Sequence, residues 1–169
     1  MILVNNPGNW SHVYPPLLHA QWHGWTPTDL IFPFFLFIVG VSITLAFSSR
    51  KEQLEPPQNL HRKIIRRSLI LFALGLFLSG FPYYDLATIR IPGVLQRIAI
   101  CYFFAALIFL HSGVKTQATW AVGLMMVYWA FMAWFPVPVI GAGSYEKGAN
   151  FSAWLDNLLL HGHMWSQTR

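Results

Sequence analysis

The stretch LIFPFFLFIVGVSITLAF, residues 30–47, decides the fold class. It has eighteen residues without a charge, and thirteen of them are Leu, Ile, Val or Phe. At roughly 0.3 to 0.6 kcal/mol of favourable insertion energy each, those thirteen side chains outweigh Pro33, Gly40 and two hydroxyl groups. The stretch therefore predicts a helix that crosses a membrane.

The sequence also predicts where this helix begins. Thr26 is a suitable N-cap, Pro27 suits the first helical position, and Asp29 stands where a capping box places an acid. A span over 27–48 has 22 residues, about 33 Å at 1.5 Å per residue, which matches a hydrocarbon core of about 30 Å.

The composition agrees with a membrane protein. Apolar residues make up 55% of the chain and charged residues only 10%, against about 25% in soluble domains. These values exclude a disordered tail, a coiled coil and a nucleic-acid-binding domain of ordinary composition. The single cysteine, Cys101, excludes an intrachain disulfide and a thiolate metal cluster.

Three more apolar runs predict further spans, at 64–81, 92–111 and 118–135. Together with 27–48 they predict an all-α, polytopic membrane helix bundle of four antiparallel helices, with segments 1–26 and 136–169 outside the bilayer. Gly75 and Ser79, four residues apart in the second run, let helices approach closely. Residues 1–169 contain no internal repeat or linker, so we expect one domain or part of one.

The distribution of Lys and Arg predicts the orientation. Seven lie on one side of the predicted bundle: Arg50, Lys51, Arg62, Lys63, Arg66, Arg67 and Lys115. Four lie on the other: Arg90, Arg97, Lys147 and Arg169. The positive-inside rule places residues 49–67 in the cytoplasm, and 1–29, 82–91 and 136–169 on the opposite, outer side.

Polar side chains are concentrated before the first span, where three His, three Asn, three Trp and an Asp occur within 1–30. One interpretation is an interfacial belt of aromatic and turn-forming residues. The other is a catalytic pair, because a turn at Gly24 would bring His19 to Asp29. A carboxylate fixes the tautomer of an imidazole, which then suits proton abstraction or attack on a thioester. By spacing alone, His12 and His23 are equally available partners.

Two longer motifs carry a family resemblance: HAQWHGWTPTDLIFPFFLFIVGVSI at 19–43 and IRIPGVLQR at 89–97. Both resemble the transmembrane acyltransferases related to heparan-alpha-glucosaminide N-acetyltransferase. The resemblance implies transfer of an acetyl group from cytoplasmic acetyl-CoA to an amino sugar across the membrane. It also implies that His19 is the active-site histidine, Asp29 its acidic neighbour and Asn5 the active-site asparagine.

The same resemblance carries expectations about length and location. Family members begin earlier and continue for several more spans, so we expect this chain to be a fragment of about half such a protein. We expect a multi-pass protein of a bacterial inner membrane, with the His19 segment periplasmic. Its expected partners are the lipid bilayer and the amino-sugar acceptor, with a homo-oligomer left open and nucleic acid excluded.

Other residues are candidates for binding. Trp22 and Trp25 offer flat faces for a sugar ring, and Gln96 and Arg97 lie near the outer end of a span, where polar groups are often functional. The cations Arg62, Lys63, Arg66 and Arg67 suit the phosphates of coenzyme A, although membrane anchoring equally requires them.

Metal binding is not expected, since His161 and His163 lack the additional ligands a structural metal needs. Two other functions stay open. A transporter for N-acetylglucosamine or related amino sugars is disfavoured by the scarcity of ionisable residues within the spans. A non-catalytic membrane subunit would use the aromatic outer segment for docking.

Overall fold

The computed structural model describes residues 4, 6, 8–9, 11–52, 57–85 and 89–164. Within these residues the regular elements are helices, and the strand-like pairing is limited to one isolated bridge between Val137 and Gly141. The all-α prediction is confirmed. The five α-helices are α1 (Ile31–Glu52), α2 (Pro57–Gly80), α3 (Val94–His111), α4 (Val114–Trp134) and α5 (Phe151–Leu160).

Helix α1 follows a short 3-10 turn, Pro27–Leu30, which has the predicted capping box at Thr26. Asp29 Oδ2 accepts a hydrogen bond from the Thr26 backbone N–H at 2.8 Å. The predicted start is therefore confirmed, but its first turn is 3-10 rather than α. The continuous segment Pro27–Ser48 has 22 residues and a mean hydropathy of 2.5, which makes it a candidate membrane span.

Val94–His111 is the second segment of the described chain that is long and apolar enough to cross a membrane. Four spans are therefore not confirmed, although each of the four predicted positions is helical. Helix α2 begins seven residues before the predicted 64–81, and its cations leave only 68–80 uncharged, too short for a core of about 30 Å. The mean hydropathy of helix α4 is lowered by Gln117, by Thr119 and by Trp and Tyr side chains that carry polar groups.

The chain consists of two compact units, Met1–Ser42 and Ile43–Arg169. The assignment of 1–169 to one domain stays a prediction. In the second unit, the principal packing joins α2 to α3. Their buried residues recur at helical spacing, with Leu60 and Ile64 on α2, and Ala99 and Ala106 on α3.

Three contacts show that α2 and α3 run antiparallel. His61 Nε2 lies 2.8 Å from His111 Nε2, so the start of α2 meets the end of α3. Farther along, the Arg67 guanidinium stacks on Tyr102, 5.1 Å from the ring centroid. At the other end the Gln96 amide approaches Ser79 Oγ at 3.4 Å.

Gly75 permits the close approach of these two helices, as its place in the sequence predicts. A Cβ at this position would lie 2.6 Å from Gln96 Oε1 and 3.0 Å from Leu95 Cβ. Gly93, the N-cap of α3, faces the same Gln96 side chain, and a Cβ there would collide with its oxygen. The two glycines therefore form a cradle for the buried Gln96 amide.

We expect Gly75→Ala to destabilise the α2–α3 pair. Alanine favours a helix over glycine by about 1 kcal/mol, but overpacking a buried site costs about 1–3 kcal/mol, so the net effect is a lower midpoint of thermal unfolding in detergent. Gly123→Ala is the matched control, because nothing lies within 4 Å of its added Cβ and it gains only the helix preference. Equal stability of the two variants would contradict the close packing described here.

Helices α4 and α5 are joined by aromatic side chains. Phe131 and Phe151 stack with ring centroids 5.1 Å apart, and Phe135 contacts both Phe151 and Trp154. The Asn150 side chain caps α5 by accepting a hydrogen bond from Ala153 N–H at 2.9 Å, and its amide donates to the Glu146 carbonyl.

Candidate active site

The segment before α1 folds back on itself through two threonine hydroxyls. A 3-10 turn at Pro15–Leu17 lies beside the turn at Pro27–Leu30. Thr28 Oγ1 donates to the Pro16 carbonyl at 3.1 Å, and Thr26 Oγ1 lies 2.6 Å from the Leu18 carbonyl oxygen. Thr28 is buried. These links return the chain so that His19 meets Asp29.

Asp29 is the acceptor on which this turn converges. His19 Nδ1 lies 2.7 Å from Asp29 Oδ1. The other carboxylate oxygen, Oδ2, accepts from the backbone N–H groups of Thr26 at 2.8 Å and of Ala20 at 3.2 Å. The residue that begins the helix is therefore the same residue that orients the imidazole.

This geometry determines the tautomer of His19. An ionised carboxylate only accepts hydrogen bonds, so Nδ1 must carry the proton. In the neutral ring Nε2 then keeps its lone pair. The His19 side chain is 66% exposed, whereas that of Asp29 is 30% exposed. An accessible ring with a fixed lone pair can accept a proton or attack a carbonyl carbon.

The structure selects among the three histidines that sequence spacing left open. His12 lies next to Asn9, with its Nδ1 3.3 Å from Asn9 Nδ2, and His23 is exposed on the same segment. His19 is therefore the partner of Asp29. Its catalytic role stays a prediction.

The aromatic candidates lie on the same turn. Trp22 is 46% exposed and Trp25 is 69% exposed. The indole rings that we expect to stack on a sugar are therefore partly accessible. Asn5 lies outside the described residues. The predicted roles of all three stay predictions.

Gln96 and Arg97 are neighbours on α3 with opposite environments. The Gln96 amide is buried between Gly75, Gly93 and Ser79, where it packs two helices together. Arg97 is exposed. Arg97 lies in the first turn of α3 and Arg90 shortly before that helix. Burial, and then the charge of Arg97, lower the pKa of Arg90. A substrate-binding role for Gln96 and Arg97 stays a prediction.

The four cations predicted to hold coenzyme A lie on two faces of α2. Arg62 and Arg66 line an open groove together with Gln58 and His61. Arg67 instead stacks on Tyr102 of α3. This division could be predicted from the spacing. Arg62 and Arg66 are four residues apart and share a helix face, whereas Arg67 directly follows Arg66 and points elsewhere.

Sequence reasoning missed two histidine contacts. The His61–His111 hydrogen bond joins residues fifty positions apart, and no sequence motif marks it. The His163 ring donates from Nδ1 to the Ile89 carbonyl at 3.0 Å, while the Ile91 N–H donates to the His163 carbonyl at 3.1 Å. His163 therefore fixes the backbone of the IRIPG segment.

Comparison with known proteins then decides the family. Residues 9–149 match the profile of a family described as heparan-alpha-glucosaminide N-acetyltransferase, catalytic. The chain belongs to this family. It is also 37% identical over 113 residues to heparan-alpha-glucosaminide N-acetyltransferase of Mus musculus, and 38% identical over 113 residues to that of Homo sapiens.

The matches to these two N-acetyltransferases are partial. Each alignment covers 64% of this chain, but only 17% of the mouse protein and 16% of the human protein. The chain thus spans about a sixth of the length of the relatives it matches. The family match covers the turn that carries His19 and Asp29, α1, and the α2–α3 pair.

Proposed function

We propose that the protein is a membrane-bound acetyltransferase that passes an acetyl group from acetyl-CoA to the amine of a glucosamine-type sugar. Membership of the N-acetyltransferase family supports the reaction class. The observation that carries the proposal is the 2.7 Å contact between His19 Nδ1 and Asp29 Oδ1, which leaves Nε2 on an exposed ring.

The same atom serves both routes open to such a reaction. In direct transfer, His19 Nε2 accepts the proton of the sugar amine while the new C–N bond forms and the thioester C–S bond breaks. In the covalent route, Nε2 first attacks the thioester carbonyl and coenzyme A leaves as the thiolate. The amine then takes the acetyl group from the imidazolium, and the freed Nε2 accepts the proton that the amine loses. In either route Asp29 orients the ring and balances its positive charge.

The remaining assignments complete the proposal. Asn5 would donate a hydrogen bond to the oxyanion that develops on the carbonyl, and Trp22 and Trp25 would stack on the sugar. Arg97, which is exposed beside the buried Gln96, would bind the acceptor. The cations Arg62, Lys63, Arg66 and Arg67 would attract the coenzyme's phosphates.

The charge distribution supports a proposal for the sidedness of the reaction. The excess of Lys and Arg in 49–67 supports a cytoplasmic donor side, with the acceptor on the outer side of a bacterial inner membrane. The two apolar segments, Pro27–Ser48 and Val94–His111, support membrane insertion.

The test is transfer of labelled acetyl groups in membranes that contain the protein. We expect label from acetyl-CoA to appear in N-acetylglucosamine when glucosamine is supplied, and not in membranes prepared without the protein. Uptake of labelled N-acetylglucosamine into vesicles, with no acetyl transfer, would instead support a transporter and refute the proposal.

A further inference from the structure

One face of α2 changes from cationic to apolar along its length. Its side chains line an open groove of about 710 Å³. The polar end is formed by Gln58, His61, Arg62 and Arg66, and the apolar end by Ile65, Leu69 and Ile70. The positions recur at intervals of three and four residues, so they form one stripe on the helix.

A second cavity continues this groove between α2 and α3. It has a volume of about 410 Å³ and is lined by Ile65, Ser68, Leu69, Phe72, Ala99, Ile100, Phe103 and Phe104. Ile65 and Leu69 line both cavities. Ser68 is the one polar residue among the described residues of this lining, and its hydroxyl is buried. The groove beside Arg62 and Arg66 therefore adjoins an apolar cleft.

The apolar lining of the cleft excludes some ligands from it. The pantetheine arm of coenzyme A has two amides and a hydroxyl group, which would lose hydrogen bonds to water against a wall of Ile, Leu and Phe. A free phosphate would leave the cleft unfilled. An acyl chain carries no polar group, so burial against this wall is favourable.

We propose that this continuous groove binds an anionic phospholipid. Arg62 and Arg66 hold its phosphate, and one acyl chain lies in the cleft between α2 and α3. The two guanidinium groups are four residues apart on one helix face, so both can donate to the same phosphate. The proposal does not depend on acetyl transfer. It assigns Arg62 and Arg66 to the lipid in place of the coenzyme, which leaves Lys63 and Arg67 for the coenzyme's phosphates.

Charge complementarity favours an acidic headgroup over a zwitterionic one. Arg62 and Arg66 lie beside Lys63, so a choline group would add another cation to a region that already has three. A glycerol headgroup adds none. The interface of a membrane with anionic lipids attracts each nearby Lys or Arg.

The test is lipid binding by the purified chain in detergent, measured by native mass spectrometry. The probes are dioleoylphosphatidylglycerol and dioleoylphosphatidylcholine, which have the same acyl chains. We expect phosphatidylglycerol to bind about tenfold more tightly, and the double variant Arg62→Gln/Arg66→Gln to lose this preference. The matched control is Lys115→Gln/Lys147→Gln, which removes the same charge from exposed positions outside both cavities and should keep the preference.

A second pair of variants tests the cleft without changing charge. Leu69→Trp fills the point where the two cavities meet, so binding of both lipids should fall by about tenfold. Leu74→Trp, on an exposed position of α2 that lines neither cavity, should leave binding unchanged. Circular dichroism confirms that each variant is folded.

Four outcomes would overturn the proposal. Equal loss of preference in the two charge variants would show only general surface attraction. Displacement of the lipid by inorganic phosphate would show a headgroup site without an acyl chain, and displacement by acetyl-CoA would assign the groove to the coenzyme. Unchanged binding of both lipids in Leu69→Trp would remove the cleft from the site.

Discussion

Replacing His19 with glutamine should lower the rate of acetyl transfer at least about hundredfold, the lower range of what a positioned acid–base group contributes. Glutamine keeps polarity and approximate size, but its amide cannot accept a proton or form an acetyl intermediate at neutral pH. The measurement is the initial rate of label transfer from acetyl-CoA to glucosamine, normalised to the amount of protein in the membrane.

The matched control for this variant is His23→Gln. His23 is an exposed histidine four residues away, and the structure assigns it no part in the pair. We expect the control to keep the rate of the unmodified protein. Full activity of His19→Gln, or an equal loss in both variants, would show that His19 is not the reacting group.

Replacing Asp29 with asparagine should lower the rate about tenfold to hundredfold, because an interaction with a charged partner is lost. The carboxylate accepts from His19 Nδ1 on one oxygen and from the backbone of Ala20 and Thr26 on the other. An amide has only one acceptor oxygen. If that oxygen faces the backbone donors, its NH2 group faces Nδ1, and the His19 proton moves to Nε2.

The predicted consequence is an imidazole in the correct place but in the wrong tautomer. Asp156→Asn, an exposed position on α5, is the control for loss of one negative charge and should retain the rate. An Asp29→Asn variant with full activity would show that Asp29 acts only as a helix cap.

The positions of the helices could be predicted from sequence because hydrophobicity and capping are local properties. The apolar helical segment 27–48 and the capping box at Thr26 follow from adjacent residues, and both are present. The predicted membrane spans at α2 and α4 are not confirmed. The length of an uncharged run takes no account of the cations in the first half of α2 or of the polar groups on the aromatic side chains of α4.

The contacts of individual side chains between helices could not be predicted in this way. Gln96 lies near a predicted helix end, which favoured substrate binding, yet its amide is buried in a cradle of two glycines from different segments. The His61–His111 contact likewise depends on the antiparallel register of α2 and α3. Single-sequence patterns do not specify that register.

In the candidate site, too, the residue types could be predicted from the sequence, but the pairing of side chains could not. The sequence offered three histidines near Asp29, and the family resemblance favoured His19. The hydrogen bonds of Thr26 and Thr28 to carbonyls eight and twelve residues away explain why the turn brings His19, and not His12 or His23, to the carboxylate.

The most direct test of the His19–Asp29 pair is the nitrogen-15 NMR spectrum of the imidazoles in protein with labelled histidine. The imidazole nitrogen signals that are missing from the spectrum of His19→Gln are those of His19. In the unmodified protein we predict a protonated Nδ1 and an unprotonated Nε2 for the neutral ring, with the proton on Nε2 in Asp29→Asn. A proton on Nε2 of the unmodified protein, or the same spectrum in both proteins, would contradict the proposal that Asp29 prepares His19 for acetyl transfer.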